Sequence, residues 1–200
     1  FFAMMGLFLA VLLSIFLTSF FNLEKSVVTE SNKRLTRVLY EDLHGQLRAA
    51  SDYSEWVDTC QAVSDLNRVM VESGGANTSS AVMDSYLEYN FYEEYIQSFH
   101  RMNFFAFYNT SGHLLTYLGY DLNDMSTLEL PGELAYIPPS HPLFVTTDDT
   151  VGTVVNGGYV LTESPLLNST LLRVTSSAIY FDPDYPEAVG FMIYAKYVDL

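Results

Sequence analysis

The chain has 200 residues, 49% of them hydrophobic, with 24 acids against 9 bases and a formal charge of −15. That balance makes nucleic acid and anionic lipid poor partners, and the single cysteine, Cys60, excludes an internal disulfide.

An uncharged apolar run, FFAMMGLFLAVLLSIFLTSFF, opens the chain from Phe1 to Phe21. As a helix it would extend about 31 Å at ~1.5 Å per residue, which matches the hydrocarbon core of a bilayer. A cleaved signal peptide has a shorter apolar region and a small-x-small cleavage site, and neither is clear here. Residues 1–21 are therefore read as a transmembrane helix, with the membrane as a partner. All charges lie beyond it. From Glu24 to Arg48 there are four acids and five bases, and from Met102 to Leu200 eleven acids and two bases. Lys25, Lys33, Arg34 and Arg37 favour the cytoplasmic side, yet long domains translocate largely regardless of charge. Sequons at Asn77, Asn109 and Asn168 fit an exported domain. The expected location is the cell membrane, with the domain outside.

From Leu23 to Met70 there is no proline and one glycine, Gly45. Leu35, Leu39, Leu43, Leu47, Ala50, Tyr53, Val57 and Cys60 recur at three- and four-residue spacing, which predicts one long helix continuing the apolar run as a stalk over 22–71. ESGGANTSS (72–80) breaks it. AVMDSYLEYNFYEEYIQSFH (81–100) reads as a second, aromatic-rich helix. MNFFAFYNTSGHLLTYLGYD (102–121) is two β-prone runs around Asn109-Thr-Ser-Gly112, a hairpin signal. Loops with one short helix near Leu128–Tyr136 follow, marked by Pro131, Pro138, Pro139 and Pro142. A second hairpin is expected from VGTVV (151–155) and YVLTESPLL (159–167) around Asn156-Gly-Gly158. RVTSSAIYFDPDYPEA (173–188) holds a strand and a Pro/Asp turn, and VGFMIYAKYV (189–198) a final strand. Helices followed by strands predict an α+β fold with an antiparallel sheet of about five strands, and residues 72–200 form the body.

SDYSEWVDTC (51–60) holds the only tryptophan, Trp56, amid Asp52, Glu55 and Asp58. On an unbroken helix Tyr53, Trp56, Val57 and Cys60 share a face, Asp52 sits at its edge, and Glu55 and Asp58 lie roughly opposite. Paired-carboxylate chemistry needs both groups on one substrate, which this spacing opposes. Packing of the Trp face on the sheet is the simpler reading.

The apolar span, the long helix, the motif Asp52-Tyr53-x-x-Trp56-x-Asp58, the hairpin NFFAFYNTSGHLLTY and the later SPLL together resemble the CHASE4 sensory domain over residues 24–200. Val57 stands where that family usually has the first of two acids, Asp58 keeps the second, and Cys60 stands where an aromatic is common. The resemblance implies a PAS/Cache-like sheet beside the long helix, in an extracytoplasmic sensor of a histidine kinase or diguanylate cyclase type of receptor. Tyr53 and Trp56 would then anchor stalk to sheet, with a direct ligand role for Trp56 as the alternative; Asp58 would cap, pair or meet a neighbouring helix.

A ligand pocket is expected on the sheet face under the loop region, lined by Tyr92, Tyr95, Phe105, Phe107, Tyr117, Tyr159 and Glu163, with packing as the competing role for each aromatic. Phe105 and Phe107, two apart on a strand, belong together. The ligand is an unknown small molecule or protein, and Leu35–Leu47 is a plausible homodimer seam. No catalytic residue, metal site or cofactor is expected. His44, His100, His113 and His141 are scattered, and HExxH, GxSxG and a glycine-rich phosphate loop are absent. Asp148-Asp149 and Asp182-x-Asp184 read as solvated turns rather than calcium ligands. A surface binding or structural module without signalling is the alternative function.

Overall fold

The computed structural model describes residues 2–75, 79–145, 155–162, 170–182 and 185–198. The chain divides into two compact units, Phe1–Asp42 and Leu43–Leu200.

The first unit lies within α1 (Phe2–Ser54), the one described helix long and apolar enough to cross a membrane by length and composition. Phe8, Leu12, Phe16, Phe20 and Leu23 are exposed on it. Further along, Arg34 pairs with Glu30 at 3.5 Å and Arg37 with Glu41 at 2.8 Å. These are exposed pairs one turn apart, each worth only a few tenths of a kcal/mol.

The second unit begins with the end of α1, followed by α2 (Val57–Glu72) and α3 (Ala81–Asn90). Its strands are β1 (Phe104–Tyr108), β2 (Leu114–Gly119), β3 (Val155–Thr162), β4 (Thr170–Asp182) and β5 (Tyr185–Tyr197). They form one antiparallel sheet in the order β2-β1-β5-β4-β3. The α+β expectation and the five-strand sheet are both met.

Each sheet face carries a core. On one side Phe105, Phe107, Met192 and Tyr194 pack with Ala50 and Tyr53 of α1, Val63 and Leu66 of α2, and Met83 and Tyr86 of α3. On the other, Phe104, Ala106, Tyr108, Phe191 and Ile193 are covered by Leu134, Ile137 and Leu143 from the loop region. A strand buried on both faces has no reason to alternate, which is why β1 reads FFAFY.

The hairpin at 102–121 forms as expected. Its turn is closed by Asn109, whose Oδ1 accepts from the backbone N–H groups of Ser111 at 2.9 Å and His113 at 3.0 Å. Gly112 there has φ of +81°, and a Cβ on it would lie 1.8 Å from the Ile137 carbonyl oxygen. Gly112→Ala is expected to cost about 2 kcal/mol, combining left-handed backbone strain with that clash. Thermal melts of the two proteins check it, and an unchanged midpoint would refute the account.

Three expectations fail. The stalk helix expected over 22–71 is broken at Glu55–Trp56, with neither proline nor glycine at the break. α1 buries Gln46, Ala50, Tyr53 and Ser54, whereas α2 buries Thr59, Cys60, Ala62, Val63 and Leu66. At roughly 100° per residue these two faces differ by more than a quarter turn on an unbroken helix, so the chain must re-aim between them. The helix expected over 81–100 stops at Asn90 and resumes as one turn, Glu93–Tyr95, that runs into a π-helical turn at Ile96–His100. Asn156-Gly-Gly158 is no turn, because β3 runs straight through it. A Cβ on Gly157 would meet Leu43 Cδ1 at 3.0 Å and Leu47 Cδ2 at 3.1 Å, so this glycine admits the helix against the sheet. The short helix expected near Leu128–Tyr136 is a single 3-10 turn, Gly132–Leu134.

Candidate functional site

The sequence features converge where α1 ends and α2 begins. Trp56 is the N-cap residue of α2, with an extended backbone at φ −75° and ψ 133°. The break therefore separates the residues of the expected Trp face. Tyr53 and Cys60 are buried, but Trp56 is 41% exposed and Val57 is 52% exposed. Trp56 lies on the Tyr53 ring, with centroids 4.3 Å apart. Asp52 and Glu55 are exposed, as is Asp58 in the first turn of α2.

Tyr53 stands at the centre of the cluster. Its ring meets Phe91 at 5.6 Å, His100 at 4.9 Å and Tyr194 at 6.1 Å, and its hydroxyl bonds that of Tyr95 at 3.3 Å. Tyr92 stacks on Tyr95 at 5.4 Å and is 49% exposed. Phe105 closes the floor against Phe91 at 4.7 Å and Tyr194 at 4.9 Å. Thr59 Oγ1 and the Tyr86 hydroxyl, 2.7 Å apart, tie α2 to α3 beside it.

His100 was not singled out by sequence reasoning, since no second metal-type ligand accompanies it. The π-helical turn carries it inward, where it stacks on Phe91 and is 7% exposed. A charged imidazole loses its hydration there, and burial lowers its pKa to about 4, opposed by a hydrogen bond with the Asn90 backbone. It is a neutral core residue at pH 7. Burial likewise pushes the Cys60 thiol up to about 12, far from the thiolate that nucleophilic chemistry needs. The hydroxyls of Tyr53, Tyr86 and Tyr194 are all driven upward, in each case by burial first.

A polar seam joins the rest of α1 to the sheet. Gln46 Nε2 donates to the Tyr194 carbonyl at 2.7 Å, and Arg173 Nε donates to Gln46 Oε1 at 2.5 Å. The hydroxyls of Ser54 and Ser177 are 2.7 Å apart. Sequence reasoning missed this seam, because Gln46 and Ser54 look like ordinary polar positions on a helix.

The expected pocket does not assemble as one set. Phe105 and Phe107 are fully buried on the helix side of the sheet, with Tyr95 packed against the same core, and not under the loop region. The loop-facing residues of β1 are Phe104, Ala106 and Tyr108, and the Tyr108 hydroxyl donates to the Leu134 carbonyl at 2.5 Å. Tyr117 pairs across the strands with Ala106, on the face opposite Phe105, and is 36% exposed. Tyr159 pairs with Arg173 on edge strand β3, away from β1. Glu163 lies outside the described residues, as do Asp148, Asp149, Asp184 and the sequons at Asn77 and Asn168. Among the described residues no group of three His, Cys, Asp or Glu side chains is placed to hold a metal.

No protein-family model matches the chain, and no curated protein matches its sequence.

Proposed function

We propose that the chain is the extracytoplasmic ligand-sensing domain of a membrane-bound signal-transduction receptor, built on a CHASE4-like, PAS/Cache-like sheet. The supporting observation is the continuity of α1. One unbroken helix holds the apolar, span-length segment near its start and, near its end, the groups that grip the sheet: Gln46, Tyr53 and Ser54. A ligand that binds one packing of the sheet on the end of α1 more tightly than another shifts the population of that packing, and α1 is the covalent route from it to the apolar segment. The motif Asp52-Tyr53-x-x-Trp56-x-Asp58 and the 102–121 hairpin supply the family resemblance. Dimerisation uses the outer part of the leucine stripe around Leu35, which is 52% exposed, since Leu43 and Leu47 already pack against Gly157.

The test is a thermal-shift screen of the full chain in detergent micelles against amino acids, organic acids, amines, sugars and divalent ions. A true ligand at a hundred times its Kd adds about 2.7 kcal/mol, roughly 5–10 °C for a domain of this size. No dose-dependent shift from a well-folded sample would favour a surface binding or structural module instead.

A further inference from the structure

We infer that the aromatic cluster at the junction of α1 and α2 binds an organic ammonium ion, with Trp56 and Tyr92 as its ring faces and Asp52 as its counter-charge. The inference rests on the sensing reading and names a ligand class for it.

Three observations carry it. First, two ring stacks share one base. Trp56 lies on Tyr53 and Tyr92 on Tyr95, and the Tyr53 and Tyr95 hydroxyls bond each other at 3.3 Å. The outer ring of each stack is 41% and 49% exposed. Tryptophan and tyrosine faces attract cations through their ring quadrupoles, most strongly where solvent is thinned.

Second, the local charge is negative. Asp52, Glu55, Asp58, Glu93 and Glu94 flank the four rings in sequence, and all are exposed. The bases nearest in sequence are Arg48, one turn before Asp52, Arg68, which pairs with Asp65 and Glu72, and Arg101, so five acids face two arginines without an ion pair among the described residues. The hydroxyls of Tyr53 and Tyr194 are driven upward by burial first, and the Asp52 carboxylate adds the smallest of the contributions to each.

Third, the Tyr194 ring lies 6.1 Å from that of Tyr53, and its hydroxyl is fully buried with no hydrogen-bond partner among the described residues. A buried hydroxyl left unpaired is costly, and an ammonium N–H that displaced the Tyr53–Tyr95 hydroxyl contact and reached it would supply its donor. Acetate or phosphate would be repelled by the surrounding carboxylates, and a sugar would bring no charge to meet them.

The experiment uses the full chain in detergent micelles, with emission from Trp56, the only tryptophan, as readout. The probes are benzylammonium and benzyl alcohol, its uncharged counterpart of the same shape. Benzylammonium is expected to give saturable change with affinity roughly tenfold above the alcohol, the scale of partly desolvated cation–π contacts plus one surface counter-charge. Asp52→Asn, Tyr92→Ala and Tyr194→Phe should each weaken it several-fold. Glu24→Gln, far along α1, should leave it unchanged. Equal binding of the alcohol, or binding of the ammonium indifferent to Asp52→Asn and Tyr92→Ala, overturns the inference.

Failure of the sensing reading is distinguishable. With Cys60→Ser and Leu35→Cys in vesicles, binding that leaves disulfide crosslinking at position 35 unaltered retains the site and removes the signalling role. A dose-dependent melting shift from a different ligand class, with no Trp56 response to benzylammonium, does the reverse.

Discussion

Lowering the pH from 7 to 4 is expected to destabilise the domain by about 3 kcal/mol through His100 alone. The imidazole titrates near 6.5 in an unfolded chain and at about 4 here, because burial among rings penalises its charged form. The sign follows from which state binds the proton more readily. Above pH 6.5 both states are neutral at this site and no penalty applies. As the pH falls through 6.5 the unfolded chain takes up the proton first, so stability drops, and the loss is complete below the folded pKa. About 2.5 units at 1.36 kcal/mol each give roughly 3 kcal/mol as the upper bound. Asp65, held below the usual carboxylate range first by its hydrogen bond with Arg68, and Asp124, held down by Ser126, titrate below this interval in the folded protein. Asp65 is half-buried and Asp124 exposed, and both are common to the two proteins, so they cancel in a comparison. His100→Phe keeps a planar ring against Phe91 and removes the proton site. Its melting midpoint should fall less steeply between pH 6.5 and 4 than that of the parent, by roughly 6–12 °C in total. Any packing cost of phenylalanine shifts the whole curve and leaves the slope comparison intact. Parallel curves would mean that His100 remains accessible to protons in the folded state.

The parts of the fold legible in the sequence are those decided locally. The hairpin at 102–121 was readable because Asn109 and Gly112 are chosen by the turn itself. The apolar run and the stripe that follows it specify helix whatever surrounds them. The misread features all answer to contacts between distant segments. Gly157 is glycine because Leu43 and Leu47 lie against it, more than a hundred residues away, and no window around Asn156 carries that information. The break at Glu55–Trp56 reconciles two buried faces that are out of phase, and is encoded by the second face, not by a breaker residue. The candidate site was half legible for the same reason. Trp56, Tyr92 and Tyr95 suit a binding site by their chemistry, and the structure brings them to one cluster. Tyr117 and Tyr159 suit it by the same chemistry, and the pleat and strand order send them elsewhere. His100 could have been flagged by its place in an aromatic-rich segment, YNFYEEYIQSFH, where an imidazole has more rings than carboxylates to face.

Tyr53→Ala is expected to have the largest effect of any single change at the junction, a loss of about 3–5 kcal/mol, as for other buried aromatic rings cut to alanine. Tyr53 is 5% exposed and its ring touches Trp56, Phe91, His100 and Tyr194, which belong to four separate segments of the chain. Removing it opens a cavity that none of these can fill without leaving the others. Tyr53→Phe separates packing from the hydroxyl. It forfeits only the 3.3 Å contact with the Tyr95 hydroxyl, which is long for an O–H···O bond, and should cost about 1 kcal/mol or less. The two variants also differ in what Trp56 reports. In Tyr53→Phe the indole retains a ring beneath it and its emission should stay near that of the parent. In Tyr53→Ala it loses that ring, and its emission should shift toward that of solvated indole before any global unfolding. Thermal melts followed by circular dichroism, with Trp56 emission recorded alongside, give both quantities. A cost below 1 kcal/mol for Tyr53→Ala would mean that the end of α1 is held to the sheet by the Gln46 and Ser54 hydrogen bonds alone. In that case a ligand between the rings would have little leverage on the helix, and the mechanical link from the Trp56 cluster to α1 would have to run through the polar seam.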